Sequence, residues 1–256
     1  MSEMFDRPAA IRHHRPLQGG YCELILDVPE IASAARPGQF VHIRIPGMNI
    51  GSLRRPFSIA GADEGGLRIL YKKVGFGTEI LGQLPQGVLL QVMGPLGNGF
   101  PLVPEGKPVL VGGGFGVAPL GFLAKRLPTK GLLLVGGRTD QDILDVAIFK
   151  GLGWETRVAT QDGSLGVRGL VTDLLDEMKG EKIEVFGCGP DGMLKAVGER
   201  GIAMGAKVWL SLDKHMVCSV GACLACVQKL RRSDGSEWIG RVCKDGPVFE
   251  AREIVW

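Results

Sequence analysis

Three cysteines fall in one short run, Cys218-Ser-Val-Gly-Ala-Cys223-Leu-Ala-Cys226, and a fourth, Cys243, follows after sixteen residues. C-x4-C-x2-C with a distant fourth thiolate is the plant-type ligand spacing of a [2Fe–2S] cluster. Gly221, Ala222 and Ala225 are small enough to let the backbone wrap close, with its N–H groups turned toward sulfur. Such a cluster moves one electron at a time, which predicts a place in an electron-transfer path. Zinc is the alternative for four thiolates, but its sites usually come as two C-x2-C hooks, and an x4 gap does not suit them. Disulfides are not expected, because the N-terminal residues carry no secretion-signal pattern.

Other residues could grip a nucleotide. In Arg54-Arg55-Pro56-Phe57-Ser58-Ile59 a guanidinium and a hydroxyl stand three residues apart, on opposite sides of a regular pleat. The proline permits an irregular edge, where both could turn to one pyrophosphate. Gly112-Gly113-Gly114-Phe115-Gly116-Val117-Ala118-Pro119 follows an apolar run and opens a helix-like stretch, the context for a phosphate or ribose at a helix start. It is not G-x-G-x-x-G, because Pro119 occupies the third glycine position. Gly187-Cys188-Gly189-Pro190 repeats the strand-to-helix arrangement, and two glycine-lined strand ends in one sheet would make a crevice. Gly75-Phe76-Gly77-Thr78 reads either as a phosphate-facing loop or as a plain turn. Gly94-Pro95-Leu96-Gly97-Asn98-Gly99-Phe100 reads as an interdomain linker.

The elements that must position these groups divide into three. Residues 21–28, 39–45, 67–73 and 88–93 alternate or look strand-like between turn signals, which predicts a small antiparallel barrel over 1–101. From 102 to 208 short apolar runs (109–111, 132–135, 183–186) alternate with helix-like stretches (119–127, 171–178, 192–200), the pattern of a doubly wound parallel sheet. Residues 209–256 carry the cysteine ligands and two expected strands, 227–230 and 238–242, around Ser233-Asp234-Gly235. So small a unit has little core of its own and is expected to draw folding energy from its metal centre. A formal net charge of +3 in 256 residues gives no ground for nucleic acid or a membrane surface. The uncharged stretch 108–124 holds five glycines and two prolines, and reads as strand, turn and helix start rather than a membrane span. A cytoplasmic protein is expected.

Arg55-Pro56-Phe57-Ser58, the 112–119 loop and Cys188-Gly189-Pro190, in that order, resemble the ferredoxin–NADP reductase-like flavoproteins. With the cysteine run, Gly94-Pro-Leu-Gly-Asn-Gly-Phe100 and Arg241-Val-Cys243-Lys-Asp-Gly-Pro-Val-Phe249, the chain resembles the electron-transfer subunits of dihydroorotate dehydrogenase B over nearly its whole length. Ser219 stands where that family commonly has glycine, Gly192 where related reductases often have proline, and Asp213 where glutamate is frequent. No ligand is lost.

The resemblance implies an FAD-binding barrel, an NAD-binding domain and a small [2Fe–2S] domain. It places Arg55, Pro56, Phe57 and Ser58 on FAD, with Arg55 on the pyrophosphate. Leu70, Tyr71 and Lys72 would line the flavin, and Gly77 and Thr78 its phosphate side. Gly112, Gly113, Gly114 and Gly116, with Cys188, Gly189 and Pro190, would receive the nicotinamide nucleotide; Cys188 is the one candidate to stand by the nicotinamide, and no catalytic residue is assigned. Cys218, Cys223, Cys226 and Cys243 would ligate the cluster.

It also implies a partner, an FMN-containing catalytic subunit that oxidises dihydroorotate, in a heterotetramer of two plus two. Electrons would cross the cluster to FAD and leave on NAD, since a flavin trades in both single electrons and hydrides. Without an obvious dihydroorotate site of its own, the chain is expected to be inactive on that substrate alone. The nearer rival is a reductase subunit of another complex, such as a hydrogenase gamma or sulfide dehydrogenase-type subunit; the distant one is a zinc-binding regulator. NAD against NADP stays open, because Arg138 could meet a 2′-phosphate or face solvent beside Asp140. Lys214, His215, Lys229, Arg231, Arg232, Arg241 and Lys244 lie near the ligands in sequence and are expected either to offset cluster charge or to form a solvated face.

Overall fold

The computed structural model describes residues 3–47 and 54–256. Six strands close a barrel: β1 (Phe5–Pro16), β2 (Tyr21–Asp27), β3 (Phe40–Arg44), β4 (Arg55–Asp63), β5 (Gly66–Lys72) and β6 (Leu89–Leu96), in the order β1-β2-β5-β4-β3-β6. Alternation does the sorting. Cys22, Leu24 and Leu26 of β2 and Val41 and Ile43 of β3 fill the barrel, whereas Tyr21 and Phe40 face outward into other cores. The short helices α1 (Pro29–Ala34) and α2 (Phe76–Leu81) plug its rims.

A seven-stranded sheet follows. Its strands β7 (Lys107–Gly113), β8 (Leu132–Gly137), β9 (Glu155–Thr160), β10 (Val167–Arg168), β11 (Ile183–Cys188) and β12 (Lys207–Ser211) run parallel in the order β10-β9-β8-β7-β11-β12. Buried on both faces, β7 and β8 are continuous Val/Leu runs, as parallel strands require. The helices are α3 (Val117–Arg126), α4 (Val146–Gly151), α5 (Val171–Asp176) and α6 (Asp191–Ala203). Among the described residues no helix is long and apolar enough to cross a membrane.

The last unit is a hairpin, β13 (Val227–Arg231) with β14 (Glu237–Arg241), turning at Gly235 with φ +85°. After the fourth cysteine, β15 (Val248–Glu250) adds antiparallel to β12 and becomes the seventh strand of the sheet. The expected division at 208/209 thus falls inside β12. The 94–100 stretch is also more than a linker. The Asn98 backbone N–H donates to the Gly246 carbonyl at 2.6 Å, and its side-chain amide donates to the Lys244 and Asp245 carbonyls at 3.2 and 3.1 Å. A side chain at Gly97 would run into Pro247 and the Gly246 carbonyl. The 94–100 stretch and the cysteine unit are therefore clamped through three successive main-chain carbonyls.

Barrel and sheet are joined by charge. The Arg68 guanidinium donates to both carboxylate oxygens of Asp145 (2.8 and 2.9 Å) and to Glu23 (2.6 Å), all largely buried. Asp142 accepts from the Tyr21 hydroxyl (2.8 Å) and from Lys72 (3.2 Å), whose ammonium also sits 4.5 Å over the Tyr21 ring. Burial works against the charged carboxylates, but the Arg15 and Arg68 bonds hold Glu23 below the ordinary carboxylate value, and the Tyr21 and Lys72 bonds do the same for Asp142.

A depressed carboxylate stabilises the fold above its unfolded pKa, and that contribution is lost as pH falls through the folded one. The urea midpoint should therefore drop as pH is lowered from about 5 toward about 3. Asp142→Asn should flatten that dependence and cost about 1.5 kcal/mol at neutral pH; an unchanged profile would show that Asp142 contributes nothing to the acid sensitivity.

Candidate functional site

The cysteine loop is shaped by backbone that side chains rarely adopt. Ser219 and Leu224 have φ +57° and Gly221 +85°. The left-handed turn at 219 is the physical reason a glycine suits that position; here Ser219 fits by turning its hydroxyl to the Met216 sulfur at 3.8 Å. The curl aims N–H groups at sulfur: Ala222 and Cys223 donate to Cys218 Sγ at 3.3 and 3.4 Å, and Cys243 donates to Cys226 Sγ at 3.4 Å. Although burial opposes it, the backbone donors of Cys223, Val220 and Ala222 lower the Cys218 thiol to about 6, ready to bind as thiolate. Burial, then Cys226, pushes Cys243 up to about 12.

The four thiols group two by two. Cys218 interacts with Cys223 and Cys226 with Cys243, while Cys218 also acts on Cys243. Tetrahedral zinc needs four donors around one centre, whereas the two irons of a [2Fe–2S] rhomb need two thiolates each. The donor set fits the cluster. The pairs also differ in setting: Cys226 and Cys243 are buried in one apolar core with Phe40 of the barrel, whereas Cys223 is exposed.

Of the seven nearby cations, most already have partners. Lys214 pairs with Asp191, Lys229 and Arg231 with Glu237, and Arg232 lies over Trp238. Arg241 pairs with Asp245 and also donates to the Gly221 carbonyl at 3.3 Å, tying the hairpin to the cysteine loop. The stem of Lys244 occupies the space beside Gly221.

The barrel carries a split where a flavin is expected. β4 pairs with β5 only from Ile59↔Ile69 to Asp63↔Gly66. Upstream, Arg55–Ser58 pair with β3 alone, and Leu70–Lys72 pair with β2 alone. One edge of each segment thus leaves the ladder, with N–H and C=O groups to satisfy. A planar isoalloxazine ring, whose rim carries donors and acceptors, fits that need. Pro56 does not disturb the pleat as expected. The β3–β4 register is regular from Arg55 to Ser58, so Arg55 and Ser58 start on opposite faces, and the irregularity lies later, between Ile59 and Gly61. Phe57 and Tyr71 point into the barrel and meet edge to face at 5.7 Å, with the Tyr71 hydroxyl 2.9 Å from His14 Nε2. Leu70 faces the opposite way into the sheet-side core, and Lys72 reaches Asp142. Leu70, Tyr71 and Lys72 therefore share a backbone edge rather than one side-chain face. Gly77 is buried in the first turn of α2, and the Thr78 hydroxyl accepts from the Val74 and Gly75 N–H groups at 2.9 and 3.1 Å, fixing the loop.

The two glycine loops of the sheet meet. A Cβ at Gly116 would lie 2.3 Å from the Cys188 carbonyl oxygen, and one at Gly113 or Gly189 would run into Met193. Gly114, at φ +55°, abuts the Tyr21 hydroxyl, so barrel and sheet share this corner. Burial pushes the Cys188 thiol up to about 12, with Asp213 adding to it, so it stays a neutral thiol at physiological pH. Sequence reasoning missed Tyr21 and Asp142; their signal is only that each borders a motif it found. Gly116→Ala should force the loops apart and raise KM for NADH at least tenfold, on the order of 1.4 kcal/mol, with iron content unchanged. An unaltered KM would remove the crevice from the nucleotide site.

Residues 213–255 match the family model for the iron-sulfur cluster binding domain of dihydroorotate dehydrogenase B. The dihydroorotate dehydrogenase B (NAD(+)) electron transfer subunit of Caldanaerobacter subterraneus subsp. tengcongensis is 44% identical over 221 residues, covering 86% of this chain and 87% of that one. Its counterpart in a Geobacillus species is 39% identical over 260 residues, covering 98% and 99%. Among solved structures, a chain of the NADH-dependent reduced ferredoxin-NADP oxidoreductase superposes with TM-score 0.85 at 31% identity, over 97% of this chain and 90% of that one. The ferredoxin reductase in carbazole 1,9a-dioxygenase superposes with TM-score 0.64 at 22% identity, over 79% and 67%, and shows the shared reductase fold. On near full-length identity of this order, the chain belongs to the family of dihydroorotate dehydrogenase B electron transfer subunits.

Proposed function

We propose that this chain carries electrons from a catalytic partner that oxidises dihydroorotate, through a [2Fe–2S] cluster and FAD, to NAD+. The observation that supports this most directly is the polarity of the thiol pairs. The Cys218/Cys223 pair opens to the surface, and the Cys226/Cys243 pair is buried in the core that includes barrel residue Phe40. Electrons enter on the open side and leave toward the barrel. Val217, Val220 and Leu224 lie exposed around the open side, an apolar rim for the partner to cover.

FAD, when bound, exchanges hydride with the nicotinamide and single electrons with the cluster. The chain's own groups do the rest. Arg55, Pro56, Phe57 and Ser58 hold FAD with the 70–72 edge, and Gly77 and Thr78 shape its phosphate side. Gly112, Gly113, Gly114 and Gly116, packed on Cys188, Gly189 and Pro190, seat the nucleotide. The neutral Cys188 thiol stands by the nicotinamide without competing as a nucleophile. The working units are 1–101, 102–208 and 209–256, the last two stitched together by β12 and β15. The assembly is two of these chains with two FMN-containing catalytic subunits, in the cytoplasm. The likeness to the NADH-dependent ferredoxin-NADP oxidoreductase favours one second reading, in which the same reductase serves another partner; the higher identity to the dihydroorotate dehydrogenase B subunits weighs against it.

Purified alone, the chain should be brown-yellow, oxidise NADH with an artificial acceptor, and give no orotate from dihydroorotate. Adding the catalytic subunit should restore dihydroorotate-dependent NAD+ reduction. Robust orotate formation by the lone chain would overturn the division of labour. Lys244→Glu, beside the cysteine loop, should lower the cluster's reduction potential by on the order of tens of millivolts, while Lys214→Glu, already paired with Asp191, should move it less. Equal shifts for the two would place both on an ordinary solvated face.

A further inference from the structure

The split between β4 and β5 gives a ligand a direction. Its closed end is the Ile59↔Ile69 pair. Continued from that pair, the register would set Ser58 across from Leu70 and Arg55 across from Lys73. Leu70 packs with Tyr21 in the sheet-side core, so the closed end lies toward the sheet, and the Tyr21 hydroxyl abuts Gly114 there. The open end, about 10 Å further along the strand, runs into the 73–75 loop that leads to α2. A ligand with its ring system near Leu70 and its phosphates at Arg55, Gly77 and Thr78 therefore has its far end beside this loop.

The loop is held before any ligand arrives. The Thr78 hydroxyl donates to the Gly75 carbonyl at 2.9 Å and accepts from the Val74 and Gly75 N–H groups at 2.9 and 3.1 Å. The Lys73 N–H donates to the Gly20 carbonyl at 3.0 Å. On this fixed backbone stands Phe76, 69% exposed and in none of the three hydrophobic cores, although its neighbour Gly77 is buried. Val74, two residues before it, is 76% exposed. A single exposed apolar side chain is ordinary. A phenyl ring held out next to the phosphate end of a ligand path is a stacking surface in the place where a nucleotide base would lie.

We propose that Phe76 is the adenine platform of the flavin site and the residue that selects FAD over FMN. The inference rests on the FAD reading above and deepens it. Isoalloxazine, ribityl chain and first phosphate are common to the two flavins, and only the adenosine half tells them apart. A site made of the open strand edge, Arg55 and Thr78 alone would accept either, while the catalytic partner of that reading carries FMN. Stacking on Phe76 rewards the adenine face and leaves the purine rim to water, with Val74 at its border. Because Thr78 has already fixed the loop, little freedom is lost when the base settles.

The test uses the purified chain with its cluster retained and its flavin removed, titrated with FAD and separately with FMN by flavin fluorescence. Iron and sulfide per chain are measured in parallel. Wild type should prefer FAD. Phe76→Ala should weaken FAD binding about 5- to 100-fold, the range for losing one base–aromatic stack, and leave FMN affinity, iron and sulfide as they were. Phe76→Trp should hold FAD at least as tightly as wild type does. Equal losses of FAD and FMN affinity in Phe76→Ala would show that the ring acts only through the phosphate loop, and an unchanged FAD affinity that it serves another contact; either result overturns the inference. If Phe76→Ala yields no soluble chain, Trp against Leu decides, and an equal preference for FAD in the two overturns it. A wild-type chain that takes up neither flavin sinks the FAD reading itself, and this inference with it. One that takes up both flavins equally leaves that reading standing and removes only the adenine platform.

Discussion

The clamp between the 94–100 stretch and the 244–247 turn is the contact on which the redox arrangement rests. Electron transfer weakens steeply with distance, so a cluster on a loosely tethered hairpin would be useless to a flavin in the barrel. A small unit with little core cannot fix its own position. The structure fixes it from outside: Asn98 donates to three successive backbone carbonyls, and Pro247 closes over Gly97 with no room for a side chain. Because these are main-chain partners, the geometry does not depend on the rotamers of long side chains.

A second constraint works along β5. The same strand, β5, pairs with β4 for half its length and lets go for the rest. The half that pairs holds the barrel closed; the half that does not offers hydrogen-bonding edges to a ligand. The ion pairs of Arg68 and Lys72 sit along this strand and dock it on the sheet, so the open edge faces the corner where the two glycine loops meet. The corner where the glycine loops meet and the 94–100 clamp thus both hold to the one barrel.

Much of this is legible in the residues, and the illegible parts share a cause. The cysteine spacing, the β13–β14 hairpin and the strand–helix alternation of the sheet are local patterns, and they fold where they read. β1 escaped because its residues are mostly exposed, with Ala9 and Ile11 its only fully buried positions and two prolines and two histidines interrupting the alternation. β15 is three residues long and takes its direction from β12, far away in sequence. The split between β4 and β5 is a matter of register between strands, which no single segment records. Pro56 suggested the wrong irregularity, since a proline can sit in a regular strand where its missing N–H is not asked for.

β15 gives the arrangement one last property. A parallel sheet ending at β12 would present a bare rim of amides, the kind of surface on which chains template one another. The strand that covers it is the continuation of the segment bearing Cys243. One short segment therefore both supplies a cluster ligand and closes the border of the sheet.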